Sequence, residues 1–167
     1  MVVFRVGVGD TVHEGAPLAD LYGGDVPDRE IRSAVVRGTE RSFDQDPMLA
    51  IRLLADIGLR ALSPAVNDPA TAVDAIDATE GVLRSLATRE LDVADVADDA
   101  GHTRVRLLLP TWEDYLRIAV EDLLPAAAPF KMVLQRLRRL LVGLLDTPGT
   151  PQQTLLRLNS AVEDGLR

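Results

Sequence analysis

The sequence predicts an α+β fold, predominantly α: a small N-terminal β-element packed beside a bundle of about five helices. Apolar residues make up 47% of the 167 and aromatic residues only 4%, so a core must be built from Leu, Val, Ala and Ile, which favours helix packing. Alternating apolar positions and glycine turns mark the first 24 residues. Downstream, capping residues recur directly before prolines, the signature of helix starts.

The elements follow in order. In "VVFRVGVGDTVHEGAPLADLYGG", Val2, Phe4 and Val6 alternate, Gly9-Asp10 makes a turn, and Gly15 to Pro17 makes another before a second short strand at Leu18 to Leu21. A short amphipathic segment with Ile31, Ala34 and Val35 leads to Gly38. Helices are expected over roughly 46–62, 68–88, 111–124, 129–146 and 150–165. Asp46-Pro47 and Asp68-Pro69 pair an acidic N-cap with a proline at the first helical position, Thr111 with Asp114 resembles a capping box, and Thr150-Pro151 repeats the first device. Pro64, Pro125, Pro129 and Pro148 supply stops. One further strand is expected at Arg104 to Leu109, and the acidic "ELDVADVADDAG" before it reads as a loop. Residues 1–37 thus form the β-element with its short helix and 38–167 the helical domain, joined as one compact unit.

Between Pro47 and Leu62 charge occurs only at Arg52, Asp56 and Arg60, on one i, i+4 stripe, so the rest is expected to be buried and this helix to be central. Asp56 can pair with either arginine, and Gly58 suits a close backbone neighbour. The polar stretch "SPAVNDPATAVDAID" that follows is mostly helix punctuation: Pro64 ends one helix, while Asp68, Pro69 and Thr71 occupy N-cap, N1 and N3 of the next. As a candidate ligand or anion site it offers Ser63, Asn67, Asp68 and Thr71 around a helix start, with the Asp68 carboxylate opposing an anion. Asp74 and Asp77, beside Arg84, supply too few oxygens for a cation, so no metal is expected.

Other chemistry is excluded more sharply. There is no cysteine, hence no disulfide, thiolate ligand or thiol nucleophile. The net charge of −8 (18 cationic against 26 acidic residues) argues against a nucleic-acid partner. His13 and His102 fall in a turn and a loop, no serine sits in a nucleophile elbow, and Gly7-x-Gly9 lacks the third glycine of a dinucleotide fingerprint, so neither enzyme nor cofactor is expected. The segment from Phe130 to Leu145 sets Lys131, Gln135, Arg138 and Arg139 on one side and Val133, Leu137, Leu140 and Leu144 on the other. Its cationic side suits solvent, an acidic partner surface or an anionic membrane. No apolar run reaches the ~20 residues that span a bilayer, and no signal peptide follows Met1.

The wording "VGVGDTVHEGAPLA" resembles half of a lipoyl or biotinyl carrier domain, but the only lysine, Lys131, lies far from any hairpin that would display it. A broader resemblance rests on three blocks in order: Gly38 to Asp46, with Ser42 in place of a threonine in G-x-E-R-T-F-x-Q-D; Ala61 to Pro64 as A-L-S-P; and Asn67 to Ala72 as N-D-P-x-T-A. Together they resemble a bacterial family of predicted membrane proteins classed as a domain of unknown function. The resemblance implies the soluble C-terminal portion of a protein whose transmembrane helices precede it, on the cytoplasmic side of a bacterial inner membrane. The leading expectation is an assembly or regulatory domain of such a membrane protein, in a channel- or transporter-like setting; the alternative is a small-ligand or anion sensing module with its pocket at the Ser63 to Thr71 turn. Membrane contact would run through the preceding segment. A homo-oligomer is expected, a dimer by base rate, with the β-element or the Phe130 to Leu145 helix at its interface.

Overall fold

The computed structural model describes residues 1–38 and 46–167, so most of the Gly38 to Asp46 block lies outside the described residues. The fold is α+β and predominantly helical, with one small sheet. Its elements are β1 (Val2–Gly7), β2 (Ala19–Leu21), α1 (Asp28–Ala34), α2 (Pro47–Ala61), α3 (Pro69–Ala87), β3 (Asp95–Ala97), β4 (Thr103–Leu108), α4 (Trp112–Ala119), a 3-10 turn (Glu121–Leu123), α5 (Leu124–Ala127), α6 (Lys131–Leu145) and α7 (Gln152–Leu166).

Two compact units form, Met1–Leu49 with Leu91–Pro110, and Ala50–Glu90 with Thr111–Arg167. The first draws half its sheet from beyond residue 90, so it is discontinuous in sequence, whereas the sequence pattern divides the chain at residue 37. Strand order is β2-β1-β4-β3. β1 runs antiparallel to β2, with Val2 opposite Leu21, and parallel to β4, with Val2 opposite Val105. A parallel pair needs a crossover, and the α2–α3 stretch lies within this one.

The acidic segment expected as a loop contributes β3. Asp95 stands opposite Arg106 and accepts its Nε and Nη2 at 2.6 and 2.8 Å, a two-pronged cross-strand pair that compensates for the missing hydrophobic alternation. Asp98 then closes the hairpin by accepting the amides of Ala100 and His102, both at 3.0 Å, and Arg104 Nε at 2.7 Å. The Gly7-x-Gly9 pair also has a structural reason. A Cβ on Gly7 would stand 3.1 Å from the Leu108 carbonyl, and Gly9 turns the chain at φ +83°.

In the second unit the centre is α6, not α2. α6 packs against α3, α5 and α7 and buries Val133, Leu134, Leu137, Leu140, Leu141 and Leu144. Lys131, Gln135, Arg138 and Arg139 take the exposed side. The helix expected over 111–124 is broken: α4 stops at Ala119, and Pro125 lies within α5, where a first-turn proline costs no hydrogen bond, instead of ending a helix. Thr150 does not cap α7. Its hydroxyl donates to the carbonyls of Leu144 (2.9 Å) and Thr147 (2.8 Å), closing the end of α6. At α4 the capping box is complete: Asp114 N–H donates to Thr111 Oγ1 at 3.3 Å, and Thr111 N–H to Asp114 Oδ2 at 2.9 Å.

Candidate functional site

The turn from Ala61 to Pro69 joins α2 to α3 and satisfies its own polar groups. Ser63 Oγ donates to the Arg60 carbonyl at 2.7 Å, and the Ser63 carbonyl accepts the amides of Val66 and Asn67 at 3.1 and 2.8 Å. Asn67 adopts φ +51°, a left-handed conformation that asparagine tolerates better than most residues. The Asp68 amide returns to the Ala61 carbonyl at 2.8 Å. Asp68 then caps α3, accepting the amides of Ala70 and Thr71 at 3.1 and 3.2 Å and the Thr71 hydroxyl at 2.6 Å. The Thr71 hydroxyl, followed by the Thr71 and Ala70 amides, holds the Asp68 carboxyl below its ordinary pKa. Donors that an anion would seek at this helix start are therefore engaged by Asp68.

An open groove of about 500 Å³ runs beside this turn, walled by Leu53, Ile57 and Val66 and edged by Asp56, Arg60 and Asp68. Thr71 also lines it; Ser63 and Asn67 do not, so the four residues marked by the sequence do not converge on one cavity. The expectation that α2 is buried apart from its charges does not hold, because Leu53 is 44% and Ile57 47% exposed. Both lie on the arc that carries Asp56 and Arg60, while Ile51, Ala55, Gly58 and Ala61 face inward. Gly58 is approached by the side chain of Leu123, not by a backbone: a Cβ there would meet Leu123 Cδ2 at 3.1 Å. Neither Arg52 nor Arg60 forms an ion pair with Asp56, and an exposed i, i+4 pair is worth only ~0.3–0.5 kcal/mol, too little to hold two long side chains together.

A second open groove lies where α6 meets α7, lined by Lys131, Gln135, Arg138, Arg139, Glu163 and Leu166. Glu163 offsets part of its charge by accepting Arg138 Nε at 3.0 Å and Asn159 Nδ2 at 3.2 Å. Sequence reasoning missed the third cluster. Arg136, only 9% exposed, donates from Nε to Asp77 and from Nη2 to Glu80 Oε2 at 2.5 Å. Burial lowers its pKa, and hydrogen bonds to the two carboxylates more than reverse that. Glu80 also accepts Arg84 Nε at 2.8 Å, and Arg84 Nη1 reaches Thr147 at 3.2 Å. Asp77 is thus tied to Arg136, not to Arg84. The signal was available: 133, 136, 137 and 140 share the buried stripe of α6, and 77, 80 and 84 share a face of α3. Among the described residues no group of three or more His, Asp or Glu is placed to hold a metal.

Residues 1–142 match the family described as "Predicted membrane protein (DUF2254)". This chain belongs to that family. The DUF2254 match covers all four strands of the sheet, the groove on α2 and most of α6, and stops short of α7. Two relatives are the "Uncharacterized protein Rv1290c" of Mycobacterium tuberculosis and the "Uncharacterized protein Mb1321c" of Mycobacterium bovis. Each is 35% identical over 127 residues, which is 76% of this DUF2254 chain and 23% of the relative. The match therefore spans less than a quarter of those proteins' length. No solved structure matches this chain. No helix among the described residues is long and apolar enough to cross a membrane.

Proposed function

We propose that this DUF2254 region is an assembly domain on the cytoplasmic side of a bacterial integral membrane protein, acting through protein contacts and not through chemistry. The observation that carries this reading is the α2 groove. Leu53, Ile57 and Val66 are large apolar side chains, 44%, 47% and 52% exposed, that line one groove together. The family description supplies the membrane setting. Of the two self-association surfaces suggested by the sequence, the apolar stripe of α6 is buried within its own unit, whereas among the described residues no further strand lies beyond the sheet edges β2 and β3. The test uses the full-length mycobacterial relative, purified in detergent with and without the matched region. Light scattering is expected to show a multi-subunit particle whose number of subunits falls on deletion, and an unchanged number of subunits overturns the reading.

A sensing module is the second reading, because the same groove reaches Asp68 and Thr71. It predicts a rise in melting temperature with some member of a panel of small organic cations and amides. Anions are disfavoured by the Asp68 carboxylate.

A further inference from the structure

We infer that the occupant of the α2 groove is the same groove of a second copy of this chain, in an antiparallel two-fold contact. This rests on the assembly reading and specifies its surface. Asp56 and Arg60 lie one helical turn apart on the exposed arc of α2, have opposite charge, and neither has an ion-pair partner among the described residues.

When two helices pair antiparallel about a two-fold axis, each position faces its mirror across the axis. An axis level with Gly58 sets Asp56 of one copy opposite Arg60 of the other, and Arg60 opposite Asp56, so both charges are answered at once. Ile57 then stands about 1.5 Å along the axis from the centre in each copy and meets its own counterpart. Leu53 falls level with position 63 of the partner, where the turn presents Val66. Every exposed apolar wall of the groove thereby acquires an apolar neighbour, and the charge pattern fixes the antiparallel register. A parallel pairing would set Asp56 against Asp56 and Arg60 against Arg60.

The test is a charge-swap series on the 167-residue chain, read by sedimentation equilibrium at micromolar concentration, with circular dichroism to verify folding. Wild type is expected to be a dimer, and D56R and R60D each monomeric. An equimolar mixture of the two monomeric variants should regain dimer mass, because one copy then carries two cations and the other two anions. The double variant D56R/R60D should also dimerise. A monomeric wild type overturns the inference, as does a mixture of D56R and R60D that stays monomeric. Dimerisation unaffected by either single variant rejects this surface while leaving the assembly reading, which stands or falls on the detergent mass of the full-length relative.

Discussion

Two glycines, one in a helix and one in a turn, have opposite uses. Gly81 lies in the interior of α3, exposed, with nothing within 4 Å of where a Cβ would stand. Gly81→Ala should therefore raise stability by up to about 1 kcal/mol, the helix-propensity difference with no steric cost. Gly149 turns the chain between α6 and α7 at φ +83°, and a Cβ there would sit 2.9 Å from the Ala87 carbonyl. Gly149→Ala combines a left-handed backbone with a clash and should destabilise by about 1–3 kcal/mol. Chemical denaturation of the two variants beside wild type checks both signs, and a loss of stability in Gly81→Ala contradicts the open space seen around it.

Between elements, the charges on α3 and α6 bind the helices as a network. Arg136 is the single charged side chain among the buried positions of α6, and it is answered by Asp77 and Glu80 from α3. Removing one partner of a buried pair leaves the other uncompensated. Arg136→Ala should cost about 3 kcal/mol, toward the lower end for such sites because Asp77 is partly exposed and Glu80 keeps Arg84. A methionine, filling the space without charge, should lose less than alanine when Asp77 and Glu80 are also replaced by their neutral amides. Urea midpoints of R136A and of the triple variant R136M/D77N/E80Q decide this. Equal losses would show that the ion pairs themselves, not packing, hold α3 to α6.

For the molecule as a whole, several carboxyls are held below their ordinary pKa by the folded state. At Asp114 the Thr111 amide is the main cause, at Glu121 it is Arg157, and at Asp98 it is the His102 amide with Arg104 behind it. Each is depressed in the folded state relative to ordinary values of 3.8 for Asp and 4.5 for Glu. Such a group contributes stability that is fully present above its unfolded pKa and lost as pH falls through its folded pKa. Stability should thus be nearly flat at neutral pH and fall steadily below about pH 4.5, the protein becoming acid-labile despite its net charge of −8. Asp114→Asn should reduce the slope of that fall, as thermal melts across the acid range will show. An unchanged slope means the capping box gives no proton-linked stability.

Local chemistry was legible in the sequence because it is local. Asp68 with Pro69, and Thr111 with Asp114, form their caps within four residues, so reading the residues sufficed to place the starts of α3 and α4. The α+β class followed from the same kind of signal, as did the polar outer side of α6. Long-range pairing set the rest. β1 finds β4 about a hundred positions away, and β3 is a strand through its antiparallel pairing with β4, where Asp95 stands opposite Arg106. Burial of α6 in place of α2 depends on which faces the neighbouring helices cover, and a hydrophobic pattern shows that a face is apolar without showing what covers it. For the same reason the sequence marked the Ser63 to Thr71 turn but not the groove beside it. Local hydrogen bonds made that turn polar, while tertiary packing left Leu53 and Ile57 outside the core.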